Sequence, residues 1–526
     1  MNEYINARAY ENHYIAHKKK QCDQILNCPE LSLALQKEGL RHKWKRVSSN
    51  EKVKLVLKKA AGHFGVQKSL FTGDYMPEED IRQCFQDMEI YYNILGSLNQ
   101  SDFNIKSYET GNKSAPLPKL YHKDFIGSLK KLLTGQRSYI ALMVKTLDSG
   151  GLEQVVKLLT LQLRSNNIAV TVFCTEHGGR TAVELRNEGT EVIEFHGNKS
   201  LFRSYVKENR PLLANTHFAS DFYDILAQYR IPIVEVIHNM YVFLTAKQLE
   251  AEKEKANYIT HYIAVSETAK EIFCRKIPQV SGDRVTVIGN SGAKQELPAR
   301  EGKEIREAFG IPKDAFIYLA AGSIDARKNQ LGILRALDIV RYLTDQKVLL
   351  LLAGEETDSA YCEKLHRFTE SCSLQESVIF LGYSNRLFEL MEASDVLILD
   401  SYYEGWSMAA TEALFCGLPL IHSDCGSGRE LTAGGANGIL IDNPIRNISS
   451  LTSVELYDAM HMGVNENMAQ LVWAMLYFLN NRELWRERRN KIREYAGNQL
   501  SVSGMLQQYA KVFDECCRKD MTTKKP

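Results

Sequence analysis

From residue 138 onward, short apolar runs alternate with stretches whose apolar positions recur every three or four residues. The first pattern suits strands covered on both faces of a parallel sheet, and the second suits amphipathic helices. Strands are expected at 139–144, 168–174, 191–195, 211–215, 231–238, 261–266 and 284–290. A helix with apolar residues at Leu152, Val155, Val156, Leu158, Leu159 and Leu163 joins the first two into a βαβ unit. A second series begins near 302, with strands at 316–322, 347–354, 377–382, 396–399 and 418–423 and helices at 332–343 and 385–394 among them. Two doubly wound α/β domains are therefore expected, the first over 138–295. Residues 1–137 differ: they read as amphipathic helices broken near Pro29, Gly62, Gly73 and Pro77, with a linker at 101–119.

The most informative stretch is 396–425, VLILDSYYEGWSMAATEALFCGLPLIHSDC. Four apolar residues form a strand, a loop follows, and Ser407 can cap a helix that Gly417 and Pro419 bring to an end. In a parallel sheet this loop lies at the carboxyl end of its strand, where a helix start presents unpaired N–H groups to ligands. A carboxylate there is not explained by phosphate binding, because two anions repel. Glu404 instead suits the hydroxyls of a polyol such as a sugar.

Other candidates lie at similar edges. Gly150 and Gly151 open the first long helix, either to let backbone approach a ligand or simply to make a tight turn. His217 follows one expected strand and His238 ends another, on the edge where ligands collect. Arg327 and Lys328 stand at a helix start, where positive charge is unfavourable unless an anion offsets it, which points to phosphate.

At 526 residues, 44% hydrophobic and 25% charged, the chain is globular in composition and too long for one core. A formal net charge of +1 gives no global pull towards nucleic acid. Between Lys18 and Lys68, however, 13 basic residues face 4 acidic ones. That cluster reads either as a contact with anionic lipid or an anionic acceptor, or as a solvated face. The amino terminus lacks the apolar core of a signal peptide and no run of about 18 apolar residues appears, so a cytoplasmic location is expected. Eleven cysteines without repeated CxxC spacing suggest reduced thiols.

Over about 375 residues, from Tyr139 to Phe513, the chain resembles the retaining family 4 (group 1) glycosyltransferases. The residues that carry the resemblance are EGWSMAATE followed by ALFCGLPLI, together with SGGLEQV, Ile237–His238, AVSETAK at 264–270, the segment Gly322 to Lys328, and LLAGEE at 351–356. It implies the GT-B fold, two facing Rossmann-like domains preceded here by the helical N-terminal region. The second domain would span 296–490, binding a nucleotide diphosphate sugar linked to UDP or GDP, and 491–526 would cross back towards the first, acceptor-side domain. Glu404 would bond the donor sugar hydroxyls and Glu412 the ribose, while the N–H groups of Gly405, Trp406, Ser407 and Met408 approach the sugar and diphosphate. If 404–412 were continuous helix, the two carboxylates would stand about 12 Å apart along its axis, so they are not an acid/base pair. Lys328 would neutralise the diphosphate, with Arg327 near it, His238 would contact the donor sugar, and Gly150 and Gly151 would give phosphate and acceptor close access.

The resemblance further implies retained anomeric configuration, no required metal or cofactor, and a departing phosphate that helps take the acceptor proton. The acceptor would be a glycan, a lipid-linked molecule or a protein, and the product a cell-surface glycan or glycoconjugate. Two positions depart from the family. Ser323 stands where an arginine is common, so either Arg327 substitutes or the diphosphate is held less strongly. Ser407 stands where glycine is common. A nucleotide-sugar epimerase of the same architecture, or a catalytically weak nucleotide-sugar-binding scaffold, is the alternative.

Overall fold

A computed structural model describes residues 124–133, 138–148, 150–292, 306–307 and 309–522. The helices and the basic cluster expected within 1–123 lie outside the described residues, as does Ser149. The described chain forms two parallel sheets. The first holds β1 (Ile140–Val144), β2 (Val170–Cys174), β3 (Glu191–Glu194), β4 (Leu213–His217), β5 (Ile233–Ile237), β6 (His261–Ala264) and β7 (Val285–Val287). The second holds β8 (Phe316–Ala321), β9 (Val348–Ala353), β10 (Val378–Gly382), β11 (Val396–Leu399), β12 (Leu420–Ser423) and β13 (Gly438–Ile441).

Strand order is β3-β2-β1-β4-β5-β6-β7 in one sheet and β10-β9-β8-β11-β12-β13 in the other. Burial follows that order. Every residue of β1, β2, β4 and β5, and of β8, β9, β11 and β12, is buried, while the edge strands β3, β7, β10 and β13 are partly exposed. Unbroken apolar runs therefore occupy sheet centres, as covering helices on both faces require. In each sheet the order reverses once, between β1 and β4 and between β8 and β11. Ligands of doubly wound sheets bind outside the strand ends at such points.

The chain returns to the first sheet through its last helices. The helix Arg482–Gln499 packs on the helix Met408–Phe415 of the second half. At Leu500 the carbonyl accepts a 2.6 Å bond from Ser291 Oγ. The helix Val502–Thr522 then packs on the helix Phe125–Leu132, where Gln507 Oε1 accepts from the Phe125 N–H at 3.2 Å and Asp514 accepts from Ser128 Oγ at 3.1 Å. Among the described residues no helix is long and apolar enough to cross a membrane.

Candidate active site

Two loops meet where the second sheet reverses. The turn after β8 carries Ser323, Arg327 and Lys328, and the turn after β11 carries Glu404. Their strands are neighbours, pairing Val396 with Tyr318, so residues 76 apart in the chain converge. Lys328 Nζ lies 2.5 Å from Glu404 Oε1, with only 5% of the glutamate side chain exposed. Ser401 Oγ also donates to Glu404 Oε1. Burial alone would push this carboxyl up, but Lys328, with His422 and Arg327 behind it, outweighs that and holds it down at about 2. Glu404 is therefore an anion at neutral pH.

The lysine loop is itself held from below. Asn329 adopts the left-handed conformation, φ 55, and its side chain caps the helix Gln330–Leu343. Its amide donates to Asp400 at 2.8 Å, and Asn467 donates to the other Asp400 oxygen at 2.6 Å. Burial pushes the Asp400 carboxyl up to about 7, against the amides that favour its charge. Arg327 folds towards the position of Ser323: its guanidinium is 3.5 Å from Ser323 Oγ and 3.3 Å from Asp325.

The helix after Glu404 starts at Met408, so 404–407 are loop and not helix as the spacing estimate assumed. Ser407 is the N-cap, its Oγ accepting from the Ala410 N–H at 3.2 Å, and its own N–H donates to Ser427 Oγ at 3.0 Å. The Trp406 indole is buried, donating to Thr411 Oγ1 at 2.8 Å, so only its backbone is left to a ligand. Glu412 is half-buried, and burial pushes it up to about 7.

The first half faces this loop closely. A Cβ placed on Gly405 would lie 1.8 Å from the His238 carbonyl oxygen, so no larger residue permits this approach. Gly426 donates its N–H to Met240 Sδ at 3.4 Å, and Phe243 stacks on Tyr403 with ring centroids 5.4 Å apart. Glu430 Oε1 accepts from the Glu267 N–H at 2.8 Å, at the start of the helix Glu267–Lys276. His238 is half-buried and lies 2.7 Å from His217. Gly150 caps the helix Gly151–Ser165 with φ 155 and ψ 176, a region nearly confined to glycine, and a Cβ on Gly151 would meet nothing within 4 Å.

The structure thus brings Lys328, Arg327, Glu404, Gly405 and His238 together, and keeps Trp406 turned away. Reasoning from sequence missed Ser401, His422, Asp400 and Glu430. Ser401 and Asp400 follow directly on an apolar strand and could have been flagged as edge residues. Nothing local marks Glu430.

Residues 149–291 match the family described as "Glycosyltransferase Family 4", and residues 301–453 match "Glycosyl transferases group 1". An uncharacterized glycosyltransferase of Methanocaldococcus jannaschii is 27% identical over 227 residues, 40% of this chain and 56% of that protein. The Escherichia coli UDP-Gal:alpha-D-GlcNAc-diphosphoundecaprenol alpha-1,3-galactosyltransferase is 26% identical over 205 residues, 38% of this chain and 51% of its own. The chain spans about half the length of these two relatives. Among solved structures, Anabaena HepE in complex with UDP superposes with a TM-score of 0.60 at 17% identity, covering 72% of this chain and 100% of that one. The two family matches fall one on each half of the cleft, and the fold that joins those halves is the GT-B fold.

Proposed function

We propose that this chain is a retaining glycosyltransferase that moves a hexosyl or N-acetylhexosaminyl group from a nucleotide diphosphate sugar to an acceptor hydroxyl. The buried Lys328–Glu404 pair carries the reading, because it sets a cation for a leaving diphosphate beside an ionised acceptor for sugar hydroxyls. Lys328, with Arg327 beside Ser323, stabilises the negative charge that develops as the bond from the anomeric carbon to the diphosphate oxygen breaks. The N–H groups of Gly405, Trp406 and Met408 add donors at the helix start. As in the family the sequence resembles, the proposed transfer uses no metal or other cofactor.

Glu404 orients the sugar, Glu412 the ribose, and His238 meets the sugar from the opposite half. With its carboxyl held near 2, Glu404 has no proton to give at neutral pH. The acceptor oxygen bonds to the anomeric carbon on the face the diphosphate leaves, and the acceptor proton passes to the departing phosphate oxygen. That shared face retains the anomeric configuration. Gly150 and Gly151 let phosphate and acceptor approach backbone. The relatives favour UDP over GDP as the donor nucleotide, since HepE was crystallised with UDP and the E. coli relative is named for UDP-Gal. The acceptor is a glycan, a lipid-linked molecule or a protein in cell-surface glycoconjugate synthesis, reached from the cytoplasmic side. The basic stretch 18–68 would serve at an anionic membrane surface.

Incubation of the full chain with a panel of UDP- and GDP-sugars, with and without acceptors, tests the reading. Nucleoside diphosphate released only with acceptor, and an α-linked product from an α-linked donor, is expected. Sugar isomerisation would replace transfer by epimerisation. Binding without turnover across the panel would leave a scaffold.

A further inference from the structure

Asn215 and His217 share one face of β4, because alternate residues of a strand point the same way. Both are fully buried, at 0% and 1% exposure. His238 lies one residue beyond β5, the neighbouring strand. A line of polar atoms results. His238 Nε2 lies 2.7 Å from His217 Nδ1, His217 Nε2 lies 3.1 Å from Asn215 Oδ1, and Asn215 Nδ2 lies 2.9 Å from the Val234 carbonyl oxygen.

The far end of this line dictates every hydrogen in it. A backbone carbonyl can only accept, so the Asn215 amide turns its N–H to Val234 and its oxygen to His217. His217 Nε2 must then carry a hydrogen, since the opposite choice sets two lone pairs against each other at 3.1 Å. A neutral imidazole carries only one hydrogen, which leaves His217 Nδ1 bare. It accepts from His238 Nε2–H, and His238 Nδ1 keeps its lone pair. Double protonation would break this logic, but burial pushes both rings well below the ordinary histidine range. The Phe218 ring lies beside His238, with centroids 5.6 Å apart, in a left-handed conformation of φ 54. No hydrogen bond reaches His238 Nδ1 among the described residues.

We propose that Asn215 and His217 are positioning residues that lock His238 in the Nε2-protonated tautomer, so that its Nδ1 meets the substrate as a hydrogen-bond acceptor. The inference rests on the reading of His238 as part of the sugar site. It deepens that reading, because the group His238 recognises must then be one that donates a hydrogen, a sugar hydroxyl or an acetamido N–H, not a ring or ether oxygen. His238 is likewise excluded as a proton donor to a leaving group.

Two-bond proton–nitrogen spectra of the full chain labelled with 15N-histidine read the tautomer directly, with His238→Gln assigning the signal. The wild type is expected to show Nδ1 unprotonated and Nε2 protonated. His217→Leu removes the acceptor and should mix or reverse the two forms, with kcat falling roughly ten-fold and KM for the donor little changed. His217→Gln can accept at the same place and should restore both tautomer and kcat. A wild-type His238 protonated on Nδ1, or a tautomer unmoved in a folded His217→Leu, overturns the proposal. The wild-type spectrum decides even if the leucine variant does not fold. The expected tautomer in a protein that turns over no sugar of the panel upholds the lock and sinks the transfer reading instead.

Discussion

The two walls of the cleft solve the same problem by different chemistry. On the second-sheet wall, Lys328 and Glu404 are both charged, pressed to 2.5 Å and almost fully buried. On the first-sheet wall, His238 and His217 face each other at 2.7 Å with no formal charge. A buried ion pair holds together only when each charge keeps its partner, and removing one leaves the other stranded. A neutral hydrogen-bonded line carries no such liability, but it offers orientation and little charge stabilisation. In the proposed transfer the difference becomes a division of labour: the second wall would handle the charge that moves, and the first the shape of what is held.

The comparison predicts unequal losses when each wall is cut. Lys328→Ala removes the cation proposed to face the diphosphate and strands Glu404, so kcat should fall roughly 100- to 1000-fold in steady-state assays with the donor. Near-normal turnover would show that the charged wall is not where the charge moves. Next in size is the contact between the walls. In Gly405→Ala the new Cβ would lie 1.8 Å from the His238 carbonyl, so the walls must part. A displacement of that order costs roughly 100-fold in kcat/KM. An unchanged kcat/KM would mean that catalysis does not use this close approach. Smaller again, His238→Ala deletes one neutral hydrogen bond and should lower kcat/KM roughly ten-fold. A loss as large as that of Lys328→Ala would erase the contrast between the walls.

Legibility in the sequence divides along a similar line. The strands at the sheet centres could be read because burial on both faces demands unbroken apolar runs, as in Val396 to Leu399. The strand Gly438–Ile441 escaped notice: it opens on a glycine, follows a glycine-rich turn and is four residues long. Single residues of unusual placement were also legible, since Glu404 is odd at an anion-friendly edge and Lys328 is odd at a helix start. Their pairing was not, because it depends on β8 and β11 becoming neighbours across an intervening pair of strands. The same holds for His217 and His238, which were each visible at a strand end while their contact required β4 beside β5. Ser407 was placed correctly as the cap, yet its N–H is already committed to Ser427, which lies after the next strand. Local pattern reveals what a residue needs, and only topology supplies the partner.

The smallest expected effect concerns Glu430, which ties the walls together through the Glu267 N–H while its second carboxylate oxygen is buried without a partner. Burial pushes this carboxyl from its ordinary 4.5 up to about 7. The folded state therefore binds a proton that the unfolded chain has released, and stability falls as pH rises from about 4.5 to 7. Glu430→Gln keeps an oxygen for Glu267 and cannot ionise. The variant should match the wild type near pH 4.5 and be the more stable by about 1–2 kcal/mol at pH 8, after allowing for relaxation around the buried charge. In a protein of this size that is a rise of roughly 1–3 °C in melting temperature. Glu412 titrates in the same range but is present in both proteins, so the difference between their pH profiles isolates Glu430. Parallel profiles would mean that the joint between the walls is ionised throughout. The neutral character of the first wall would then end at its histidines and not extend to the contact that closes the cleft.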